Sequence, residues 1–114
     1  MHIDWSNIPS EKLSPLIDRQ FVSTESVTVA RFFLRQGATV PEHKHVNEQI
    51  AFVLSGALKF TFPDKSITIR PGETLCIPPN VPHSAEALED TIDLDVFAPP
   101  RADWATGNDS YLRK

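Results

Sequence analysis

The sequence predicts an all-β fold of about eight short strands, and three observations favour it. From Val27 onward, apolar and β-branched runs of about four to eight residues alternate with turn-forming residues. Ten prolines and four glycines in 114 residues suit many tight connections and argue against long helices. The length fits one domain, residues 1–114, with 40% apolar residues to fill a modest core. A sandwich or a small barrel is therefore expected.

The expected strands follow one another at short intervals, near residues 27–34, 38–43, 48–54, 57–62, 66–70, 74–78, 83–88 and 91–97. The turns between them are marked by Gln36-Gly37, Ser55-Gly56, Pro63-Asp64, Pro71-Gly72, Pro78-Pro79-Asn80 and Glu89-Asp90. Residues 1–20 lack this pattern and are expected to be irregular, with a single helical turn between Pro9 and Pro15 that Ser10 could cap. The polar segment 104–114 is expected to be a loosely held tail.

Composition excludes several classes of partner. The net charge is −4 and the pI about 5.5, so no basic surface is available for nucleic acid or for an anionic membrane. The single cysteine, Cys76, cannot form an intrachain disulfide and is expected to be a buried apolar residue. The first residues lack the features of a signal peptide, and the longest apolar run, 50–54, is far short of the roughly 20 residues of a membrane helix. A cytoplasmic protein is expected.

Three of the four histidines stand in a pattern that suits metal binding. His43 and His45 are two residues apart, so a strand would point both imidazoles to one face. Gln49 opens the next strand, and His83 follows a stiff proline-rich turn. Three imidazoles and one amide oxygen leave coordination positions open and suit Zn, Ni, Mn, Fe or Co. Glu48 is a competing ligand, but strand alternation turns it to the face opposite Gln49.

The glycines and prolines around these residues carry a resemblance to the cupin superfamily. Its first motif has a glycine, five residues, His-X-His, three or four residues, a glutamate, six residues and a second glycine. That motif reads here as Gly37, His43-Lys44-His45, Gln49 and Gly56. The second motif reads as Gly72, Pro78-Pro79-Asn80, His83 and Ala87. The two motifs span residues 37–87, and the strand pattern extends the match to about 27–100.

Three positions depart from the cupin pattern, and one of them affects the metal. Asn80 stands where glycine is usual, and asparagine tolerates the left-handed conformation that glycine would supply. Ala87 replaces an asparagine. Gln49 stands where glutamate is usual, so a bound metal would have one less negative charge around it. Such a metal is a stronger electrophile and is held less tightly.

The resemblance implies a double-stranded β-helix, or jelly-roll barrel, with an irregular N-terminal segment. It implies that a divalent transition metal is held in the lumen by His43, His45, Gln49 and His83. The mouth of such a barrel would admit a small-molecule substrate. It also implies a homodimer, because small single-domain cupins usually pair.

The last expected strand carries a second group of polar residues. Asp93, Asp95 and Phe97 share one face of it, and Pro99-Pro100 fixes the direction in which Arg101 is presented. This face would be the lumen, since the alternating residues are apolar. An exposed edge strand followed by a surface arginine would explain the pattern equally well.

Combined with the histidine motifs, the string Asp-Val-Phe-Ala-Pro-Pro-Arg resembles the KdgF-type cupins of pectin and alginate breakdown. Those proteins convert 4,5-unsaturated monouronates, which are sugar acids, to the linear keto form. The resemblance implies catalytic roles for Asp95, Phe97 and Arg101. Asp95 would move the proton, Arg101 would bind the uronate carboxylate through two parallel hydrogen bonds, and Phe97 would pack against the sugar.

Other functions remain open at this point. A metal-dependent cupin oxygenase is one, although many such enzymes use the glutamate that Gln49 replaces. A cupin lyase acting on dimethylsulfoniopropionate is less favoured, because those enzymes rely on tyrosines near the motifs and the single tyrosine here, Tyr111, lies in the expected tail. A non-enzymatic small-molecule-binding cupin is the third.

Overall fold

The structure, a computed structural model, describes residues 1–113 and consists mainly of strands. Within that range the strands are β1 (Glu11–Ser14), β2 (Ile17–Ser23), β3 (Thr28–Leu34), β4 (Thr39–His43), β5 (Glu48–Ser55), β6 (Leu58–Phe62), β7 (Lys65–Ile69), β8 (Thr74–Ile77), β9 (His83–Ala87) and β10 (Thr91–Ala98). They form two antiparallel sheets, one of six strands in the order β1-β2-β3-β10-β5-β8 and one of four in the order β4-β9-β6-β7. The predicted all-β jelly-roll fold is confirmed.

The core lies between the inner faces of the two sheets, and strand alternation decides which residues enter it. On β3 the buried residues include Ala30, Phe32 and Leu34, while the four-stranded sheet contributes Leu58 and Phe60. β10 runs between β3 and β5 in the middle of the larger sheet. Its inward side chains therefore point into the centre of the molecule, whatever their polarity.

The expectation that residues 1–20 are irregular is wrong for the second half of that segment. β1 and β2 form a hairpin, and β2 pairs with β3 from Ile17 opposite Leu34 to Ser23 opposite Thr28. The inward positions of β2 include Arg19, which is buried, and a buried arginine hides the apolar alternation that would have predicted a strand. The N-terminal turn is a 3₁₀ turn that Asp4 caps, and it precedes Pro9.

The expectation of a loosely held tail at residues 104–114 is wrong for residues 104–113, and Lys114 lies outside the described residues. Residues 101–113, which we call the C-terminal strap, contain the short helix α1 (Ala102–Ala105) and a 3₁₀ turn at Ser110–Leu112. Trp104 and Leu112 belong to the buried core. The helices of the described residues are short, and none has the length and apolarity to cross a membrane.

An ion pair that joins the two ends of the chain holds the strap in place. Asp109 is buried and accepts a hydrogen bond of 2.9 Å from Nη2 of Arg19, which also donates to Glu11 on β1. Arg113 donates to Asp109 as well. Because these partners are about 90 residues apart, the polar composition of the strap reflects a long-range pairing that no local pattern reveals.

Cys76 is exposed, so the expectation of a buried cysteine is wrong. It stands on the outer face of β8, which is an edge strand of the larger sheet. The inner positions of that strand belong to Leu75 and Ile77, of which Ile77 is fully buried.

We expect Gly56→Ala to lower the free energy of unfolding by about 3 kcal/mol or more, and Gly72→Ala to lower it by about 1 kcal/mol. Both glycines have positive φ, +92° at Gly56 and +88° at Gly72, so both variants carry the same backbone strain. A Cβ at Gly56 would lie 2.3 Å from the carbonyl oxygen of Asp90, whereas one at Gly72 would meet nothing within 4 Å. Urea unfolding measures the difference, and equal losses would contradict the steric argument.

Candidate metal centre and cavity

The two sheet strands β4 and β9 bring two histidines directly opposite each other. His43 ends β4 and His83 begins β9, and they are partners in the antiparallel register. His45 lies two residues beyond His43, and its ring centroid is 5.5 Å from His43 and 5.1 Å from His83. One nitrogen of each ring lies within 4.8 Å of the others. The structure thus brings together the three histidines that the sequence suggested as metal ligands.

The backbone orients each imidazole in the same way. Nδ1 of His43 lies 2.9 Å from the carbonyl oxygen of Pro41, and Nδ1 of His83 lies 2.7 Å from that of Val81. Nδ1 of His45 lies 3.0 Å from the carbonyl oxygen of Asn47. A carbonyl only accepts, so each Nδ1 carries the proton and donates it, which leaves the Nε2 lone pair for a ligand.

The three imidazoles are neutral at physiological pH. Burial lowers the pKa of His43 to about 4, and the neighbouring histidines and Arg101 add to this effect. Burial and the charge of Arg101 lower the pKa of His45 to about 4, and the pKa of His83 shifts in the same direction for the same reasons. Neutral imidazoles are the form that binds a metal, so the site is ready to bind without first losing protons.

Gln49 adds an oxygen to this cluster. It points inward from β5 and is 5% exposed, while Glu48 is exposed on the other side of the strand. Oε1 of Gln49 lies 3.1 Å from Nε2 of His45. Since His45 holds its proton on Nδ1, two electron-rich atoms face each other there.

A cation that binds both of these atoms removes their repulsion, so the donor set of three imidazole nitrogens and one amide oxygen fits a divalent transition metal. The arrangement favours Gln49 over Glu48 as the fourth ligand, because only Gln49 reaches the lumen. Backbone carbonyls, and not acidic side chains, accept the hydrogen bond from Nδ1 of each of the three histidines.

Asp93, Asp95 and Phe97 all point into the lumen from β10, so the alternative of an exposed edge strand is wrong. Asp93 is 2% exposed and Asp95 is 4% exposed, and one oxygen of each has no hydrogen-bond partner among the described residues. In the register Asp93 stands between Phe32 and Val53, which offer it no positive charge.

Burial therefore raises the pKa of both carboxyl groups. For Asp93 the pKa lies well above its usual value because of burial and because Asp95 is beside it. For Asp95 burial raises the pKa to about 6, although Gln49 and Arg101 stabilise its charge. A carboxyl group with such a pKa exchanges protons readily near neutral pH.

Arg101 lines the same cavity but is already engaged in ion pairing. It is 3% exposed, and Nε and Nη2 donate to the two carboxylate oxygens of Asp103 at 2.9 and 2.7 Å. Its guanidinium stacks on Phe97 and on Trp104, with distances of 4.7 and 4.4 Å to the ring centres. Nη2 also donates to the hydroxyl of Tyr111. The pair of parallel hydrogen bonds expected for a substrate carboxylate is therefore used within the protein.

Trp104, Tyr111 and Leu112 of the strap line the cavity, although the sequence did not suggest them as site residues. Trp104 packs edge-on against Phe97, and Asp103, which is not part of the lining, holds Arg101. Tyr111 stacks on His43 with 4.5 Å between ring centres. The spacing of Arg101 and Asp103 could have indicated a local pair, whereas nothing in the polar segment around Tyr111 indicated its position. Because Tyr111 lies against His43, its position does not count against a lyase.

The cavity lies between the two sheets beneath the strap, and its space, counted out to the solvent at the mouth, is about 470 Å³. Apolar residues of both sheets line it together with a smaller set of polar residues, namely His43, Gln49, His83, Asp93, Asp95, Arg101 and Tyr111. A mainly apolar lining with a few convergent polar groups is typical of sites for small organic molecules.

Histidines that converge in the lumen of a two-sheet β-barrel define a class of metal-binding proteins with a substrate cavity inside the barrel. The family can be stated as well, because residues 30–98 match the model of the cupin domain. The chain belongs to the cupin family, as the motifs predicted.

Solved structures of other cupins are similar over most of this chain. KdgF from Halomonas sp. is 26% identical with a TM-score of 0.80, and the match covers 87% of this chain and 94% of that one. An RmlC-like cupin from Shewanella frigidimarina is 22% identical with a TM-score of 0.81, covering 87% and 90% of the two chains. Oxalate decarboxylase from Bacillus subtilis, at 21% identity and a TM-score of 0.75, matches 85% of this chain with 29% of its own.

A relative is also found by sequence. An uncharacterised protein of Streptomyces coelicolor is 27% identical over 84 residues, which is 73% of this chain and 80% of that protein.

We expect the stability of the metal-free protein to depend on pH through His43. The folded state protonates this residue near pH 4, while an unfolded histidine takes up a proton near pH 6.5, so the unfolded chain binds more protons between these values. Acidification from about pH 7 to about pH 4 therefore removes stability. In His43→Gln the unfolding free energy should fall less steeply than in the wild type.

The measurement is urea unfolding at several pH values with a chelator present. His2→Gln is the matched control, because His2 is exposed near the N-terminus and should leave the wild-type slope unchanged. An unchanged slope in His43→Gln would show that burial does not keep this imidazole neutral.

Proposed function

We propose that the protein is a metal-dependent enzyme that converts 4,5-unsaturated monouronates to their linear keto form. The observation that carries this proposal is that Asp95, Phe97 and Arg101 line the same cavity as His43 and His83, two members of the three-histidine cluster. These three residues match the catalytic residues of KdgF-type cupins in type and spacing. The similarity to the Halomonas KdgF over nearly the whole chain supports the same conclusion.

His43, His45, His83 and Gln49 would hold the metal, which when bound supplies a Lewis acid that polarises substrate oxygens. Four protein ligands would leave the metal with coordination positions for water or substrate. The metal could be Zn, Ni, Mn, Fe or Co, since this donor set suits each of them.

Asp95 would transfer the proton. The reaction is an isomerisation: the anomeric hydroxyl loses a proton, the bond between C1 and the ring oxygen breaks, and C4 gains a proton as the enol becomes a ketone. One carboxyl group can serve both transfers if it accepts the first proton and returns it. The pKa of about 6 that burial gives Asp95 suits both directions near neutral pH.

Phe97 and Arg101 would position the substrate. Phe97 is buried beside His45, with 5.7 Å between the ring centres, so a sugar ring packed on its face would lie next to the metal. Arg101 places a fixed positive charge at the same end of the cavity, where a uronate carboxylate would bind. We also retain the sequence-based prediction that the protein acts in the cytoplasm.

We expect Asp95→Asn to reduce the turnover of unsaturated galacturonate by about 10²-fold or more, because the amide cannot accept and return a proton. Zinc binding should persist, since the four ligands are intact. The matched control is Asp64→Asn at the exposed turn between β6 and β7, which should keep full activity. The rate is followed as loss of the enol-ether absorbance.

Two outcomes would overturn the proposed function. The first is a wild-type rate equal to the uncatalysed rate, and the second is undiminished activity of Asp95→Asn. Consumption of oxygen with a candidate substrate would instead favour an oxygenase, and ligand binding without turnover would favour a binding protein.

We further propose that the outer face of the six-stranded sheet pairs with a second copy of the chain. This face carries exposed or half-buried apolar side chains, namely Phe33, Ile50, Phe52, Leu54, Leu94 and Val96. The outer face of the four-stranded sheet is instead mostly polar, with Lys59, Thr61, Ser66 and Glu86. An apolar sheet face of this kind is stabilised by covering it.

We expect Leu54→Glu to convert the dimer to a monomer in light scattering at micromolar concentration. Leu54 is 52% exposed, so the change should leave the fold intact. Ile67→Glu, at a similarly exposed position on β7 of the other sheet, is the control and should remain dimeric. A monomeric wild type, or a dimeric Leu54→Glu, would contradict the proposed interface.

A further inference from the structure

We infer that Tyr111 is a substrate-binding residue, and that its hydroxyl and Nη1 of Arg101 together bind the carboxylate of an anionic substrate. In taking a uronate as that anion, the inference rests on the proposed function.

Arg101 does not use all of its hydrogen-bond donors within the described residues. A guanidinium has five N–H groups, and three are spent within the protein: Nε and one hydrogen of Nη2 on Asp103, and the other hydrogen of Nη2 on Tyr111. Nη1 has no protein partner among residues 1–113. A single nitrogen cannot offer a carboxylate the two parallel hydrogen bonds that a guanidinium fork provides. A second donor beside it would complete the pair.

Tyr111 supplies that donor. Its oxygen accepts the hydrogen of Nη2, and its own O–H hydrogen has no acceptor among the described residues. A phenol that accepts a hydrogen bond from a cation becomes a stronger donor itself. Because both groups line the cavity, an acceptor that enters it meets the Tyr111 hydroxyl and the Arg101 guanidinium side by side.

Neighbouring residues of the strap hold Tyr111 in position. Its neighbours in the strap are anchored on either side, Leu112 in the core and Asp109 in the buried ion pair with Arg19. The ring itself stacks on His43, which places the phenol next to the metal ligands. The hydroxyl therefore needs no reorganisation when a ligand arrives, which favours binding.

The hydroxyl is not needed for the packing of the ring. A phenylalanine would stack on His43 equally well, and Asp103 already balances the charge of Arg101. The hydroxyl of Tyr111 adds one hydrogen-bond donor next to the positive charge of Arg101. A donor beside a positive charge favours a carboxylate over a neutral hydroxymethyl group. The predicted preference is for sugar acids over the corresponding neutral sugars.

The experiment compares Tyr111→Phe with the wild type and with Ser110→Ala, an exposed neighbour in the strap. Calorimetry with the zinc-loaded proteins measures the affinity for D-galacturonate, a saturated uronate that cannot undergo the reaction. We expect Tyr111→Phe to bind it about tenfold more weakly or worse, because a hydrogen bond to a charged group is lost. Ser110→Ala should bind it like the wild type.

Turnover of unsaturated galacturonate by the same proteins distinguishes a substrate-binding role of Tyr111 from a purely structural role. A higher KM with a smaller change in kcat is expected for Tyr111→Phe, while its zinc affinity and thermal unfolding midpoint stay at wild-type values. Unchanged galacturonate affinity and KM would overturn the inference, and so would a parallel loss of zinc affinity or stability, which would indicate a purely structural role.

The two proposals fail in different ways. A wild type that binds galacturonate but does not turn over its unsaturated form contradicts the proposed function alone. Normal turnover with identical wild-type and Tyr111→Phe proteins contradicts the role of Tyr111 alone. A wild type that does not bind galacturonate but turns over its unsaturated form contradicts the inference on Tyr111 and leaves the proposed function standing.

Discussion

The site depends on one arrangement, the donation of each Nδ1–H to a backbone carbonyl. This bond fixes the tautomer and the angle of His43, His45 and His83, and it directs three Nε2 lone pairs to one point. Because the carbonyls belong to residues only two positions away, the same short segments supply both the ligand and its orientation. Burial lowers the pKa of His43 and His45 and so keeps these rings neutral. Both the protonation state and the orientation of the rings therefore favour the binding of a cation.

The strand β10 connects this site to the rest of the barrel. It is hydrogen-bonded on both sides along most of its length, so its side chains are held with little freedom. Two of its inward positions are carboxylates, and the unpartnered oxygens of Asp93 and Asp95 are a cost to folding that an apolar pair would avoid. Buried groups of this kind are concentrated where a protein performs chemistry. The interior of this barrel is thus polar at Asp93 and Asp95, which line the cavity.

The sequence predicted the barrel and the converging histidines well, because both follow from short-range patterns. Strand alternation, turn residues and the spacing of His43, Gln49 and His83 are local signals. The hairpin at residues 11–23 was missed because Arg19 occupies an inward position, and its partner Asp109 comes about 90 residues later. The strap was missed for the same reason. Ion pairs between distant segments leave no periodic trace in the sequence, so the structure alone assigns Tyr111 to the cavity.

Because of the strap, the residues suited to binding a metal and the residues suited to binding a substrate come from separate parts of the chain. The candidate metal ligands lie between residues 43 and 83, whereas the groups suited to recognising an anion, Arg101 and Tyr111, come after the last strand. The strap touches the barrel through a few anchors and is not part of either sheet. Evolution or an engineer could therefore exchange these dozen or so residues to change what the cavity selects while the reactive centre stays as it is.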